Sequence, residues 1–285
     1  MPTLNSRVLH FDYVEAKVPN ALAFQYHGYD FIGVTMPLVD QLLQTCERLS
    51  RSARLADFLE LVATNEQQES TQAGLFMAQL TFVAAHEFGH HAFGHTSWNG
   101  TDLWNDVLDG NAIGSLEDQA REAVADGYAV YLLLDLFIVS QQRRRILELF
   151  GHQEAPETGA DQILLSAFLL GAGAFFFVRS PAIIDNRRIY SLTHPPQAAR
   201  MNNVMQTVQT WCRKYRPPLA AWLTLEGFQA FMDVVEEATA LITGGKNWSE
   251  QTAFLQSEAG AEYYRRFAEQ FARIAPRAGS NQTTS

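Results

Sequence analysis

Apolar positions recur at helical spacing along most of this chain. Between Gly74 and His95, GLFMAQLTFVAAHEFGHHAFGH, the residues Phe76, Leu80, Val83 and Ala84 repeat three and four apart, which predicts one apolar helix ending among histidines. A second helix is signalled at Ser115, where Ser115 and Asp118 make a capping box, and it continues as SLEDQAREAVADGYAVYLLLDLFIV. Pro37 can open a helix to about Ser50 with Leu38, Leu42 and Leu49 as its stripe, and a shorter one follows from Ser52 to Thr64. After Pro196 the apolar positions Ala198, Met201, Val204 and Val208 predict another helix. The stretch from Pro217 to Arg273 reads as amphipathic helix, with Trp222, Phe228, Phe231, Tyr263, Phe267 and Phe271 as core candidates.

The helical period breaks in a few places. Residues 21–35, ALAFQYHGYDFIGVT, are rich in aromatic and β-branched residues around His27-Gly28 and predict a hairpin whose second strand is Phe31 to Thr35. The polar runs NEQQESTQ (Asn65 to Gln72), QQRRR and GHQEAPETGAD read as a loop and turns, with Arg143 to Arg145 as a solvated helix end. The segment 96–114 is a long Gly/Asn/Asp-rich connection that reads equally as a lid or as disorder, and the tail 276–285 reads as disordered. The expected class is α+β, mainly α, with one domain over residues 1–275, its helical C-terminal part at about 217–275.

The 285 residues suffice for a sizeable core, and the net charge of −10 argues against nucleic acid or an anionic membrane surface as the main partner. Two widely spaced cysteines, Cys46 and Cys212, offer no disulfide framework, and Asp12, Glu15, Lys17 and Asp30 interrupt any secretory-type apolar run. Both fit a cytoplasmic location. The uncharged stretch Gln162 to Val178 tests this, because as a helix it spans roughly 25 Å against a bilayer core of about 30 Å. It reads as a buried core helix, with membrane association as the alternative.

The histidine run changes the picture from fold to chemistry. In HEFGH, His86 and His90 stand four apart and point the same way, so both imidazoles can reach one zinc ion, with Glu87 beside them to take a proton from a metal-activated water. On the next helix Glu122 and Asp126 also lie four apart, two like charges that a cation would compensate. Glu122 is then a third ligand and Asp126 a partner for the far nitrogen of a ligand histidine, the alternative being an acidic stripe paired with Arg121. Proline after His194 holds that residue extended at the start of a helix, where it either faces a cleft or serves only the chain's geometry. The single histidines His10 and His27 read as structural or surface residues.

HEFGH at 86–90, EAVAD at 122–126 and THPPQAAR at 193–200, in this order, resemble the gluzincin peptidases of the CAAX-prenyl-protease and HtpX type. They are closer still to the compact phage-exclusion peptidases of the Lit type. The resemblance spans about residues 74–205. It implies a zincin-like helical domain with a small sheet whose edge strand lies over a Zn2+ site held by His86, His90 and Glu122. It further implies Glu87 as general base and His194 as the oxyanion donor. Asp126 would orient a ligand histidine, Arg200 would support His194, and His95 would back the site. Phe31, Ile32, Gly33, Val34 and Thr35 would form the edge that receives a protein or peptide substrate. The expected activity is zinc-dependent endopeptidase, with a defence role against phage drawn from the Lit-type likeness. Two alternatives stand beside it, a zinc-retaining binding module without catalysis and a membrane-associated HtpX-like quality-control protease. No motif speaks to the oligomeric state.

Overall fold

A computed structural model describes residues 8–96, 113–179, 188–244 and 248–275. The connection read as lid or disorder lies outside them over residues 97–112, as does the whole tail 276–285. The architecture is mainly helical with one small sheet.

The sheet contains β1 (Leu9–Val14), β2 (Ala21–Tyr26) and β3 (Tyr29–Thr35) in the order β1-β3-β2. β2 and β3 form the expected hairpin, turning through His27 and Gly28, whose φ of 49° and 84° give the left-handed pair that a tight two-residue turn needs. β1 then pairs parallel to β3 from its other side. One row of this register, His10, Phe31 and Phe24, stacks ring on ring across all three strands at 5.1 and 5.0 Å. The sequence reading made Phe31, Ile32, Gly33, Val34 and Thr35 a free edge, and this is corrected here. β3 is the central strand with both sides of its backbone occupied, and the free edges belong to β1 and β2.

Helix α1 (Met36–Ser50) follows β3 directly, opened by Pro37 in its first turn. The short α2 (Ala53–Phe58) leads to α3 (Asn65–Ala92). The run expected as a loop, Asn65 to Gln72, is instead the first two turns of α3. Thr64 caps it by accepting from the Gln67 amide, and Gln67 donates onward to the Leu149 carbonyl at 3.1 Å, so good helix-forming polar residues extend the helix.

α3 is the spine of the molecule. It packs on α1, on α4 (Leu116–Leu134) and on α6 (Glu157–Arg179). A π-helical turn at Asp135–Val139 and the short α5 (Arg143–Leu149) join α4 to α6. Arg143 is not a solvated helix end. It opens α5 and pairs with the buried Asp161 at 2.8 Å, because Asp161 has no water to turn to. α6 is long and apolar enough to cross a bilayer, yet 83 % of its most apolar window is covered by the fold. Gln79 of α3 bridges from the Gly171 carbonyl (3.1 Å) to the Cys46 thiol (3.3 Å), satisfying a buried carboxamide in the core.

A 3-10 turn at Ile189–Ser191 precedes α7 (Gln197–Tyr215). Four further helices, α8 (Pro217–Trp222), α9 (Leu225–Thr243), α10 (Trp248–Gln256) and α11 (Glu258–Ile274), close the C-terminal side. Among the aromatic core candidates there, Phe231 and Tyr263 are fully buried.

Candidate metal centre

His86 and His90 occupy successive turns of α3 and project toward α4. What brings the two helices close enough is Gly89, since a Cβ built there would sit 3.1 Å from the Ala125 Cα and 3.3 Å from its carbonyl oxygen. At this crossing Glu122 faces both histidines. Its Oε2 lies 3.1 Å from His86 Nε2 and its Oε1 3.2 Å from His90 Nε2, while the two imidazole Nε2 atoms stand 3.2 Å apart. One donor atom from each of the three residues fits within a 4.8 Å span.

The atoms around Glu122 do not satisfy one another. Its Oε2 is buried and makes no hydrogen bond, although His86 and His194 nitrogens lie 3.1 and 3.2 Å away. Two nitrogens and a carboxylate oxygen are the donor set of a divalent zinc site, which would satisfy the orphaned oxygen and complement the local negative charge.

The surroundings are built to the same end. Asp126 Oδ1 lies 2.9 Å from His86 Nδ1, leaving His86 Nε2 as the inward atom. Asp126 in turn accepts two hydrogen bonds from Arg200, at 2.9 and 2.7 Å, and the Arg200 guanidinium lies over the Phe176 ring at 4.9 Å. Arg200 therefore supports Asp126, with Glu122 3.8 Å away, rather than His194 as the resemblance implied. The hydrogen-bond partner of His194 Nδ1 is the neighbouring Thr193 hydroxyl at 2.9 Å. Behind His90, its Nδ1 meets His95 Nδ1 at 3.2 Å. This contact exists because α3 stops at Ala92 and Gly94, with φ of 69°, folds the chain back so that the His95 amide reaches the His90 carbonyl. His91 points the other way and holds the sheet, Nε2 to the Phe31 carbonyl at 2.9 Å.

Electrostatics follow from this packing. Burial opposes the charge on Glu122, but the His194, His90 and His86 imidazoles outweigh it and hold its carboxyl well below the usual range. Burial likewise opposes Asp126, and Arg200 brings it down. Burial would lower His86, yet Glu122 and Asp126 pull it up to about 10, which shows how strongly this spot favours a positive charge. Burial lowers His95 to about 4, reinforced by His90. Glu87 is 7 % exposed, and burial raises its carboxyl, with no hydrogen bond to it among the described residues.

Glu87 and His86 open onto a narrow cleft whose floor and rim include His194 and Arg200. Asn20 and Ala21, at the start of β2, line its side. β2, not β3, is thus the free strand edge beside the cleft, held there by the Asn20 amide on Thr35 Oγ1 at 2.8 Å. Two other cleft residues, Arg179 and Gln197, carried no signal in the sequence, one being the charged end of an apolar run and the other an ordinary first-turn residue.

Residues 40–218, which hold most of α1, all of α2 to α7 and every residue of the cluster, match the Peptidase U49 family. The chain belongs to the Peptidase U49 family. No curated protein and no solved structure matches it. Membership makes a U49 chain a peptidase with a protein substrate, and the match ends at Pro218, just inside α8, so α9 to α11 lie beyond the matched region.

Proposed function

We propose that this U49 peptidase is a zinc-dependent endopeptidase that hydrolyses a peptide bond of a protein substrate. The observation that carries the reading is the convergence of His86, His90 and Glu122 around an unsatisfied buried carboxylate oxygen, with Glu87 beside it. His86, His90 and Glu122 would hold the ion. Zinc in such a site supplies a Lewis acid that lowers the pKa of water to about 7 and polarises a carbonyl. Glu87 accepts the proton of the attacking water and returns it to the leaving amine, a task suited to a carboxyl raised by burial. His194, across Glu122 from the helix α3 ligands, donates to the oxygen on which negative charge develops. Asp126 keeps His86 in the tautomer that a ligand needs, and Arg200 keeps Asp126 ionised. Substrate lies as an added strand along the free edge of β2.

Glu87→Gln tests the central role. The variant is expected to bind zinc in the same amount as the parent and to lose activity on unfolded casein by about 10²–10⁴-fold, the usual share of a general base. A variant that cleaves at the parental rate removes Glu87 from the chemistry, and parental protein that binds zinc but cleaves nothing leaves a binding module.

The likeness to Lit-type peptidases supports one narrower reading, a defence factor that cuts a host protein when phage infection triggers it. Terminal proteomics of infected and uninfected cells expressing the parent or Glu87→Gln would find new termini only with the parent after infection. Identical termini in all four samples count against this role.

A further inference from the structure

The roles above fall on residues of three short motifs, but the cleft in front of Glu87 has two polar walls that belong to none of them. Arg179 ends α6 and reaches the cleft with its guanidinium over the Phe175 ring at 5.3 Å. Its hydrogen bond among the described residues runs from Nη1 to the Pro19 carbonyl at 3.3 Å, and no described carboxylate lies within ion-pair distance. A guanidinium carries five N–H donors, so this single bond leaves most of its capacity unspent among the described residues. Gln197, the first residue of α7, also lines the cleft, and its Oε1 is buried with no hydrogen-bond partner. Leaving a buried polar atom unpaired costs about 1–3 kcal/mol, so folded proteins rarely do so without a ligand to complete the set. Leu38, Phe82 and Val83 give the cleft an apolar wall, and the same cavity of about 60 Å³ is also lined by His86, Glu87, His194 and Arg200.

We infer that Arg179 and Gln197 form a specificity pocket for one substrate side chain that ends in a carboxylate or carboxamide. This rests on the peptidase reading of the neighbouring cluster. Beside the reacting groups, the apolar wall takes the methylenes of that side chain, and the two polar groups bracket its oxygen. Arg179 donates to that oxygen. The Gln197 carboxamide completes the pair by accepting from a substrate amide or, rotated, by donating to a carboxylate.

The test uses the full chain loaded with zinc and a proteome-derived peptide library, followed by kinetics on matched peptides that differ only at the selected position. Parental protein is expected to cleave next to Asp, Glu, Asn or Gln, with kcat/KM about tenfold above the matched leucine peptide, the worth of a charge-assisted hydrogen bond. In Arg179→Met that ratio falls toward one for the acidic peptides, and Arg179→Lys restores part of it. Gln197→Leu, at the first residue of α7, flattens the carboxamide preference. A parental profile without this preference, or one that Arg179→Met leaves unchanged, overturns the pocket while the peptidase reading stands. Equal losses on every peptide would make Arg179 a partner of Glu87 and also overturn it. Parental protein that cleaves no library peptide overturns the peptidase reading and the pocket together.

Discussion

Asp126 is completely enclosed, and its charge is sustained first by Arg200 and then by His86. A buried pair contributes little compared with an apolar replacement, but removing one partner strands the other charge, at about 3–5 kcal/mol. Arg200→Met is therefore expected to cost about that much, read as a lowered midpoint in urea. Arg54 and Glu237 make the opposite case, since their side chains are 44 % and 60 % exposed, and Arg54→Met should stay within about 1 kcal/mol of the parent. Equal midpoints for the two variants would show that Asp126 does not depend on Arg200. Asp126→Asn keeps the shape but weakens the acceptor facing His86, and zinc affinity is expected to fall about 10–100-fold in competition with a chelator. The grouping of His86, His90, Glu122 and Asp126 was legible in the sequence because a spacing of four fixes a shared helix face. The partner of Arg200 was not, because a motif records order along the chain and Arg200 reaches Asp126 across 74 residues.

At the scale of elements, the site depends on how closely α3 and α4 cross, and one glycine sets that distance. A Cβ at Gly89 would press on the Ala125 backbone at 3.1–3.3 Å, so the helices must part by a few tenths of an ångström. Gly89→Ala is expected to destabilise by about 1–3 kcal/mol, as overpacking does, and to weaken zinc binding because Glu122 moves away from both histidines. Gly127, two residues along α4 from Ala125, is the control. The nearest atom to a Cβ there is Thr207 Oγ1 at 3.9 Å, so Gly127→Ala should gain up to about 1 kcal/mol from helix propensity alone. If both substitutions stabilise, the close crossing is not what limits Gly89. The helices α1, α3, α4 and α7 were legible because their caps and apolar stripes agree. The first turns of α3 were not, since polar composition suggested a loop while Thr64 supplied a cap that the eye passed over. Strand β1 was missed for a related reason. Leu9, Phe11 and Tyr13 are exposed, so its alternation carries no buried face, and its pairing with β3 is fixed by a partner two strands away. That omission made β3 look like an edge.

For the whole molecule, hydropathy alone could not separate a core helix from a membrane span at Gln162 to Val178, because both environments are apolar. The difference lies in what surrounds the helix, and α6 is covered by α3 on one side and α9 on another. The cluster sits at the junction of this core, with ligands from α3 and α4 and with His194 leading into α7. An ion held there ties α3 to α4, which unfolding would separate, so its binding energy adds to folding. With free zinc at about 100 times its dissociation constant, linkage gives about 2.7 kcal/mol, and at roughly 2–4 °C per kcal/mol the melting temperature should rise by about 5–10 °C. EDTA should reverse the rise. His86→Ala with His90→Ala should show no zinc-dependent shift, because both nitrogen donors are gone. Glu87→Gln should show the parental shift, since its carboxyl is placed for the proton and not for the ion. A parental protein whose melting is unaffected by zinc and EDTA alike would mean that the three donor atoms hold no ion. The buried oxygen of Glu122 would then need another explanation.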